Sequence, residues 1–550
     1  QPSGKINTLA LDIPLQAADK SRFQASWSDL AWKQWKLLPG AEHFSGTLSG
    51  SVENGLLTAS MKQAKMPYET VFRAPLEIAD GQATISWLNN DKGFQLDGRN
   101  IDVKAKAVHA RGGFRYLQPA NDEPWLGILA GISTDDGSQA WRYFPENLMG
   151  KDLVDYLSGA IQGGEADNAT LVYGGNPQLF PYKHNEGQFE VLVPLRNAKF
   201  AFQPDWPALT NLDIELDFIN DGLWMKTDGV NLGGVRASNL TAVIPDYSKE
   251  KLLIDADIKG PGKAVGPYFD ETPLKDSLGA TLQELQLDGD VNARLHLDIP
   301  LNGELVTAKG EVTLRNNSLF IKPLDSTLKN LSGKFSFINS DLQSEPLTAS
   351  WFNQPLNVDF STKEGAKAYQ VAVNLNGNWQ PAKTGVLPEA VNEALSGSVA
   401  WDGKVGIDLP YHAGATYNIE LNGDLKNVSS HLPSPLAKPA GEPLAVNVKV
   451  DGNLNSFELT GQAGADNHFN SRWLLGQKLT LDRAIWAADS KTLPPLPEQS
   501  GVELNMPPMN GAEWLALFQK GAAESVGGAA SFPQHITLRT PMLSLGNQQW

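Results

Sequence analysis

The sequence predicts a mostly β protein whose neighbouring strands pair antiparallel, with only a few short amphipathic helices. Three observations predict it: strict alternation of apolar and polar residues in run after run, Asn-Gly and Asp-Gly pairs between runs, and little helical periodicity. Because the side chains of a strand point to opposite faces with a period of two, each run has one apolar and one polar face. The apolar face of such a sheet must be covered by another part of the chain or by another molecule.

The clearest alternating runs lie between residues 211 and 451. In one of them, Leu212, Ile214 and Leu216 alternate with Asp213 and Glu215. The apolar members of these runs are the candidate lining residues of the sheet. They are Leu212, Ile214, Leu216, Phe218, Val291, Leu295, Leu297, Val371, Val373, Leu421, Val446 and Val448.

Turn residues separate the runs at short intervals. The pairs are Asn54-Gly55, Asp97-Gly98, Asp221-Gly222, Asp288-Gly289, Asn302-Gly303, Asp402-Gly403, Asn422-Gly423 and Asp451-Gly452. Asn-Gly and Asp-Gly adopt the positive φ angles that tight hairpin turns require. We therefore predict a hairpin turn at each pair, with antiparallel strands on either side.

Helical periodicity appears at a few places only. The strongest case is a helix over residues 147–161, where Met149, Leu153, Leu157 and Ile161 recur at steps of four. Similar Pro-started segments end at Leu278 and at Leu395, so that 278 − 157 = 121 and 395 − 278 = 117 residues separate the anchoring leucines. This spacing predicts a repeated unit, with a further helix near residues 511–518 and an earlier one near 32–38.

Composition excludes several classes of function. A formal net charge of −17 without basic stripes argues against nucleic acid as a partner. The absence of cysteine excludes thiolate metal sites and a catalytic Cys, and fits either a cytosolic or a bacterial envelope protein. The HExxH, GxSxG and P-loop signatures do not occur, and the eight histidines are scattered singly. We therefore expect no enzyme, no cofactor and no metal.

Residues 141–148 (WRYFPENL), 157–164 (LSGAIQGG) and 169–175 (ATLVYGG) resemble the central domain of AsmA-like bacterial envelope proteins. The strand ends at 375–379 (LNGNW) and 421–425 (LNGDL) fit the same family. The resemblance covers essentially the whole chain. It is most specific at residues 141–175, since the rest is alternation of the kind typical of the family.

The resemblance implies an elongated, strongly curved antiparallel sheet that forms an open apolar groove, and many strand glycines fit such curvature. It implies an inner-membrane-anchored protein in the periplasm of a Gram-negative bacterium, which moves phospholipid between the inner and outer membranes. Both ends of the chain look cut, so we expect the anchor and the C-terminal end to lie outside this piece. The family supplies no catalytic residues.

On this basis we divide the chain into five segments. Residues 1–140 form an N-terminal β-groove segment, and residues 141–270 form the AsmA-like central segment with the amphipathic helix. Residues 271–385 and 386–510 form two further β-groove repeats, and residues 511–550 begin another. No run approaches 18 consecutive apolar residues, so no membrane-spanning segment is expected within the chain.

Two rival functions remain open at this point. One is a structural or adhesive β-solenoid whose apolar face closes into a sealed core without a ligand. The other is a polysaccharide-processing β protein, for which clustered aspartates such as Asp213 and Asp217 would be needed. Two roles also remain open for the amphipathic helix that carries Met149, Leu153, Leu157 and Ile161. It is either a plug or lateral gate of the groove, or the cap of a repeat.

The 15 tryptophans are spread along the whole chain. Aromatic residues suit strands and dominate buried area, so core packing explains most of them. The alternative is that they line or edge a surface that faces lipid, where an apolar ring with one polar atom is favoured.

Overall fold

The structure is a computed structural model that describes residues 2–36, 38–322, 325–524 and 530–550. Strands hold 60% and helices 13% of the protein, which confirms the mostly β fold class. The strands are β1 Ser3–Asp12, β2 Arg22–Trp32, β3 Ala41–Ser51, β4 Asn54–Met66, β5 Leu76–Asn90, β6 Gly93–Ala105, β7 Val108–Pro119, β8 Trp125–Thr134, β9 Ile161–Gly175, β10 Gln188–Phe200, β11 Leu209–Ile219, β12 Gly222–Leu232, β13 Val235–Ile244, β14 Lys251–Pro261, β15 Leu285–Asp288, β16 Asp290–Pro300, β17 Thr307–Ile321, β18 Ser326–Ile338, β19 Asp341–Ser344, β20 Leu347–Trp351, β21 Gln354–Glu364, β22 Ala368–Trp379, β23 Leu395–Gly397, β24 Val399–Pro410, β25 Thr416–Asp424, β26 Val428–Ser430, β27 Ala445–Asn453, β28 Ser456–Ala463, β29 Asn467–Leu474, β30 Leu479–Ala488, β31 Gly501–Asn505, β32 Met509–Asn510, β33 Ala530–Ser531, β34 Ile536–Arg539, β35 Leu543–Leu545 and β36 Gln548–Gln549.

The helices are short. They are α1 Glu146–Met149, α2 Lys151–Ala160, α3 Val265–Phe269, α4 Ala280–Glu284, α5 Glu389–Asn392 and α6 Gly511–Glu524. A π-helical turn, Lys275–Gly279, precedes α4, and several 3₁₀ turns lie between strands. α6 begins where the repeat spacing predicts a helix. The predicted helix near 32–38 is wrong for its described part, because β2 runs to Trp32 and Trp35 then bridges to Leu38; Leu37 lies outside the described residues.

The chain folds as two compact units. Unit 1 consists of Gln1–Ile258 and Arg294–Ala308, and unit 2 consists of Lys259–Ala293 and Lys309–Trp550. In unit 1, each strand from β1 to β13 pairs antiparallel with the next in sequence, so the sheet is a simple meander. Such a meander is what alternating strands with short connections predict.

Unit 2 follows the same rule over most of its length. Strands β20 to β30 pair antiparallel, with β23 and β26 set aside in a small sheet of their own. Beyond β30 the pairing becomes parallel, because β31 and β33 both run parallel to β30, and β34 runs parallel to β31. α6 lies between β32 and β33 in sequence and gives the chain the length that a parallel return needs. A wholly antiparallel sheet is therefore wrong at this end.

Asparagines with positive φ interrupt several strands. Asn100 in β6 (φ 51°), Asn197 in β10 (φ 50°) and Asn316 in β17 (φ 55°) each sit at a register shift. Asparagine tolerates the left-handed region better than most residues, and an extra residue in one strand bends the strand and increases its twist. Strand glycines predict the curvature of the sheet, whereas these bulges depend on asparagine.

Five of the eight predicted Asn-Gly and Asp-Gly turns are wrong. Asn54-Gly55, Asp221-Gly222 and Asn302-Gly303 lie at or beside turns or bends. Four pairs lie inside β6, β24, β25 and β27, and at Asp288-Gly289 only one bent residue separates β15 from β16, which is too short for a hairpin. A Cβ added to Gly98 would lie 2.2 Å from the Phe114 ring, and one added to Gly452 would lie 2.6 Å from the Tyr417 ring. These glycines make room for large side chains on the neighbouring strand and do not form turns.

Candidate functional site

The candidate lining residues of β11 lie on one face of unit 1. Leu216 stands opposite Val193 of β10 and Met225 of β12. Because directly opposite residues of an antiparallel pair have their side chains on the same face, the three strands form one apolar surface. Leu212, Ile214 and Leu216 are between 1% and 6% exposed, and Phe218 is half-buried beside them.

α2 lies against this surface and covers it. Its Leu153, Val154 and Leu157 have no exposed surface and belong to the same apolar cluster as Leu212 and Leu216. The hydroxyl of Tyr156 donates to the carbonyl oxygen of Phe202 at 3.2 Å, and burial raises the pKa of this tyrosine. It therefore stays a neutral donor, so the helix is held by both apolar packing and a buried hydrogen bond.

The predicted helix over 147–161 is broken in the structure. Gly150 has φ 82° and its backbone N–H bonds to the carbonyl of Glu146, so it ends α1 before α2 begins at Lys151. Ile161 is the first residue of β9 and is not helical. A glycine adopts this left-handed angle without strain, which explains why one periodic stripe is built from two helices and a strand. Met149 and Ile161 still join the buried cluster.

The same face is less covered along one row of the first eight strands of unit 1, although Ala41, Met61, Ala64 and Ile78 on β3 to β5 form a small buried cluster. A row of apolar residues continues across it in register, from Leu48 to Leu57, Ile85, Phe114 and Ile128. All five side chains are half-buried, in contrast to the buried residues under α2. The row therefore keeps partial access to solvent. The sequence analysis nominates none of these positions, although β4 and β8 alternate.

The candidate residues of unit 2 also share one face. Val373 stands opposite Val405, Leu421 stands opposite Val448, and Val446 stands opposite Gly423. Val371 is 5% exposed, whereas Val373, Leu421, Val446 and Val448 are half-buried. This face therefore resembles the open part of unit 1 more than the part under α2.

The run from Val291 to Ile299 is divided between the two units. Val291 belongs to an apolar cluster of unit 2 with Val312 and Leu314, whereas Leu297 packs against the α2 cluster of unit 1. The boundary between the units falls between Ala293 and Arg294. Leu295 is half-buried. Alternation is continuous through this boundary, which is why the sequence gives no sign of it.

Tryptophans extend the apolar faces. The residues of the paired strands that position these tryptophans were not identified from the sequence. Trp27 stands opposite Gly46, and Trp87 stands opposite Gly55, so that each ring lies over a residue without a side chain. In unit 2, the rings of Trp379 and Trp401 meet edge to face at 4.8 Å. A glycine facing an aromatic residue in the paired strand is the signal that would have found them.

Residues of the sheet surround Asp213 and Asp217, the two aspartates considered for glycosidase chemistry. Asp213 accepts a hydrogen bond at 3.1 Å from the backbone N–H of Asn197, the bulge residue of β10. Burial raises the pKa of Asp217, and the neighbouring Glu190 and Glu215 raise it further. Both lie on the polar face of β11.

Arg73, in the loop between β4 and β5, holds the start of the helical segment. Its guanidinium bonds to Glu146, reaches Asp155 at 2.5 Å and the carbonyl of Lys151 at 3.4 Å. The backbone N–H of Glu146 also donates to the carbonyl of Val71 at 3.1 Å. The loop therefore binds α1 and α2 on the side that faces away from the apolar cluster.

Replacing this arginine, Arg73→Ala, is expected to lower the free energy of unfolding by about 1 kcal/mol, because the partners are between 28% and 44% exposed and water screens the pairs. Hydrogen bonds from Lys151 and then Arg73 lower the pKa of Asp155. A carboxylate with a lowered pKa stabilises the fold above its unfolded pKa, and this stability is lost as pH falls through the folded value.

The difference between the two proteins should therefore persist at pH 7 and decrease progressively as pH falls below about 4, the ordinary pKa of an aspartate. Urea denaturation across that range measures it, with Arg236→Ala as an exposed control. An unchanged midpoint at pH 7 would show that the loop does not hold the helices.

The comparison with known proteins agrees with this geometry. The family model described as YhdP protein matches residues 1–550. The chain belongs to the YhdP family. This AsmA-like family is associated with the bacterial envelope and with lipid transport, and it is not known for catalysis. No solved structure matches the chain.

Two features are absent from the described residues. No helix there is both long and apolar enough to cross a membrane. No three His, Cys, Asp or Glu side chains of the described ranges lie close enough together to hold a metal ion.

Proposed function

We propose that this YhdP-family protein carries phospholipid between the inner and outer membranes of a Gram-negative bacterium along its apolar sheet faces. The observation that carries the proposal is the row of half-buried apolar side chains that continues in register from strand to strand. Acyl chains would lie on this face, and the polar headgroup would stay in water. Family membership supports an envelope location, and in the full-length protein we expect an inner-membrane anchor.

A continuous apolar face is sufficient for this task. An acyl chain in water costs about 0.8 kcal/mol per methylene, so a 16-carbon chain costs on the order of 12 kcal/mol. Neighbouring strands supply a fresh row of apolar side chains every ~4.8 Å, so a lipid can move by small steps without a deep binding site. No reaction step is involved, and no catalytic residue or cofactor is needed.

A structural β-solenoid with a sealed core remains the second candidate, because one observation favours it. The face of β11 and β12 is closed by α2, with Leu212, Leu223 and Leu157 almost without exposed surface. If every apolar face were closed in this way, no lipid would bind. Under our proposal α2 instead acts as a plug or lateral gate over this part of the path.

Photocrosslinking tests the proposal directly. Photoreactive residues at Phe114, Ile128, Leu421 and Val448 should capture phospholipid in cells, because these positions face the open apolar surface. The same probe at Asn374, on the polar face of β22, should not. Probes at Leu212 and Leu216 should label weakly, since α2 covers them. Equal labelling of both faces would contradict the proposal.

A further inference from the structure

The polar face of unit 1 carries an unusual patch on β6 to β9. Asp97, Arg115, Gly127 and Gly174 stand side by side across these four strands. They lie on the face opposite to the apolar row, because the intervening residues of β7 and β8 alternate with them. A depression of about 830 Å³ lies here, and its lining includes Arg99, Arg111, Arg115, Trp125 and Leu129.

Two glycines in this patch leave open space beside their strands. A Cβ added to Gly131 or to Gly174 would meet no atom within 4 Å, and neither residue has a left-handed φ. Gly127 differs, because the Trp125 ring lies directly over it. Glycine weakens a strand interior, and it is found where a ligand or another backbone approaches closely. The open surface at Gly131 and Gly174 therefore leaves room for another molecule to approach the strands.

The charges of the patch indicate that this molecule is an anion. Arg115 bonds to Asp97 at 2.6 Å, and Arg111 bonds to Asp102 at 3.2 Å, with Arg99 3.8 Å from Asp97. Three guanidinium groups thus face two carboxylates in a chain whose net charge is −17. The carboxylate of Asp97 is 10% exposed, whereas the arginine side chains are between 50% and 68% exposed.

The arginines are also oriented before any ligand arrives. The hydrogen bond from Arg115 lowers the pKa of Asp97, so the pair stays ionised at neutral pH. His109 bonds to Asp102 at 2.7 Å beside Arg111 and holds that carboxylate in place. A guanidinium fixed at its Nε by a carboxylate keeps a planar edge for phosphate oxygens.

Apolar side chains complete the patch. Leu129 is 63% exposed and stands between Gly127 and Gly131 on β8, and Trp125 is 41% exposed. Arginine, tryptophan and leucine on one surface match the region where a lipid headgroup meets its acyl chains. An acidic protein partner would account for the arginines, but it would not need an exposed leucine standing between bare glycines.

We propose that this surface binds the headgroup of an anionic phospholipid. The phosphate is held by Arg111 or Arg115, and the glycerol region lies over Gly131 and Gly174 with its first methylenes against Leu129 and Trp125. This site is on the opposite face of the sheet from the transport path, and it would hold the protein against a membrane surface while the path is used.

Vesicle co-sedimentation of the whole chain tests the site. The wild-type protein should bind phosphatidylcholine vesicles that contain phosphatidylglycerol more tightly than vesicles of phosphatidylcholine alone. The double variant Arg111→Gln/Arg115→Gln should bind the anionic vesicles roughly thirtyfold more weakly. The matched control Arg196→Gln/Arg236→Gln removes two exposed arginines elsewhere in unit 1 and should change binding little.

A second variant tests the bare surface without changing charge. Gly131→Leu fills open space, so it should fold normally and still reduce binding to anionic vesicles. Excess inorganic phosphate, compared with sodium chloride at the same ionic strength, should weaken binding no further than the double variant does, because the apolar contacts belong to the lipid. Complete displacement by phosphate would assign the site to a free anion and overturn the proposal.

Equal binding by the double variant and its control would overturn the proposal too, as would crosslinking of the patch to an acidic protein in place of lipid. Val373→Asp, placed on the transport path, should leave vesicle binding unchanged. Transport and vesicle binding are measured separately for each variant. A failure of the proposed transport function can therefore be distinguished from a failure of this headgroup site.

Discussion

Leu216→Asp is expected to destabilise unit 1 by about 4 kcal/mol or more, which will unfold the protein or prevent its expression. Leu216 is 3% exposed and lies beneath α2, among Leu157, Ile214 and Met225. A carboxylate placed there has no water and no basic partner among the described residues of the cluster. Urea or thermal denaturation of the purified variant measures this loss.

The same change on the open face of unit 2 should behave differently. Val373 is half-buried, so the carboxylate of Val373→Asp keeps contact with water and should cost only about 1–2 kcal/mol. A lipid moving along the face must pass this strand, so transport by the full-length protein should be abolished. An envelope-permeability assay beside a melting curve measures both effects.

Ala372→Asp is the matched control, since it adds the same charge one residue away on the exposed polar face of β22. It should leave both stability and transport unchanged. The sequence alone treats Leu216 and Val373 alike, and only their burial separates them. Unfolding of both variants would support the sealed solenoid, and normal transport by Val373→Asp would contradict a path along this face.

The second large effect is expected from fixing α1 and α2 in place. Val71→Cys/Glu146→Cys places two cysteines on backbones that share a 3.1 Å hydrogen bond, in a chain with no other cysteine, so that oxidation can join the β4–β5 loop to α1. If α2 must leave the apolar face for lipid to pass, the oxidised protein should lose transport. Adding a reductant should restore it.

The matched control is Val71→Ser/Glu146→Ser, which removes the Arg73–Glu146 ion pair without adding a tether. It should transport normally under oxidising conditions. Transport is measured by the permeability assay, and the disulfide is confirmed by mass spectrometry. Full transport by the tethered protein would exclude gating and leave α2 as the cap of a repeat.

The strands themselves could be predicted from sequence. Alternation depends only on the period of two within a strand, so it identified β11, β22 and β27 and placed Leu216, Val373 and Val448 on apolar faces. The amphipathic stripe likewise identified α2, because the period of Leu153 and Leu157 is local. These features need no information about residues distant in the chain.

Features that depend on the partner strand were predicted less well. Asp97-Gly98 and Asp402-Gly403 have the composition of turns but lie inside strands, where Gly98 accommodates Phe114. A turn and a packing glycine look alike until the opposite residue is known. The five-segment division of the chain remains a prediction.

The sequence by itself determined which residues are apolar and which face of each strand they occupy, because both follow from the local period. Only the tertiary structure decided whether each face is covered. Leu153 and Leu157 seal the surface of β11, while Ile85 and Phe114 on the same sheet stay half-buried, because a helix packs on one place and not on the other. Burial depends on which distant segments of the chain pack against a strand, and no local sequence pattern contains that information.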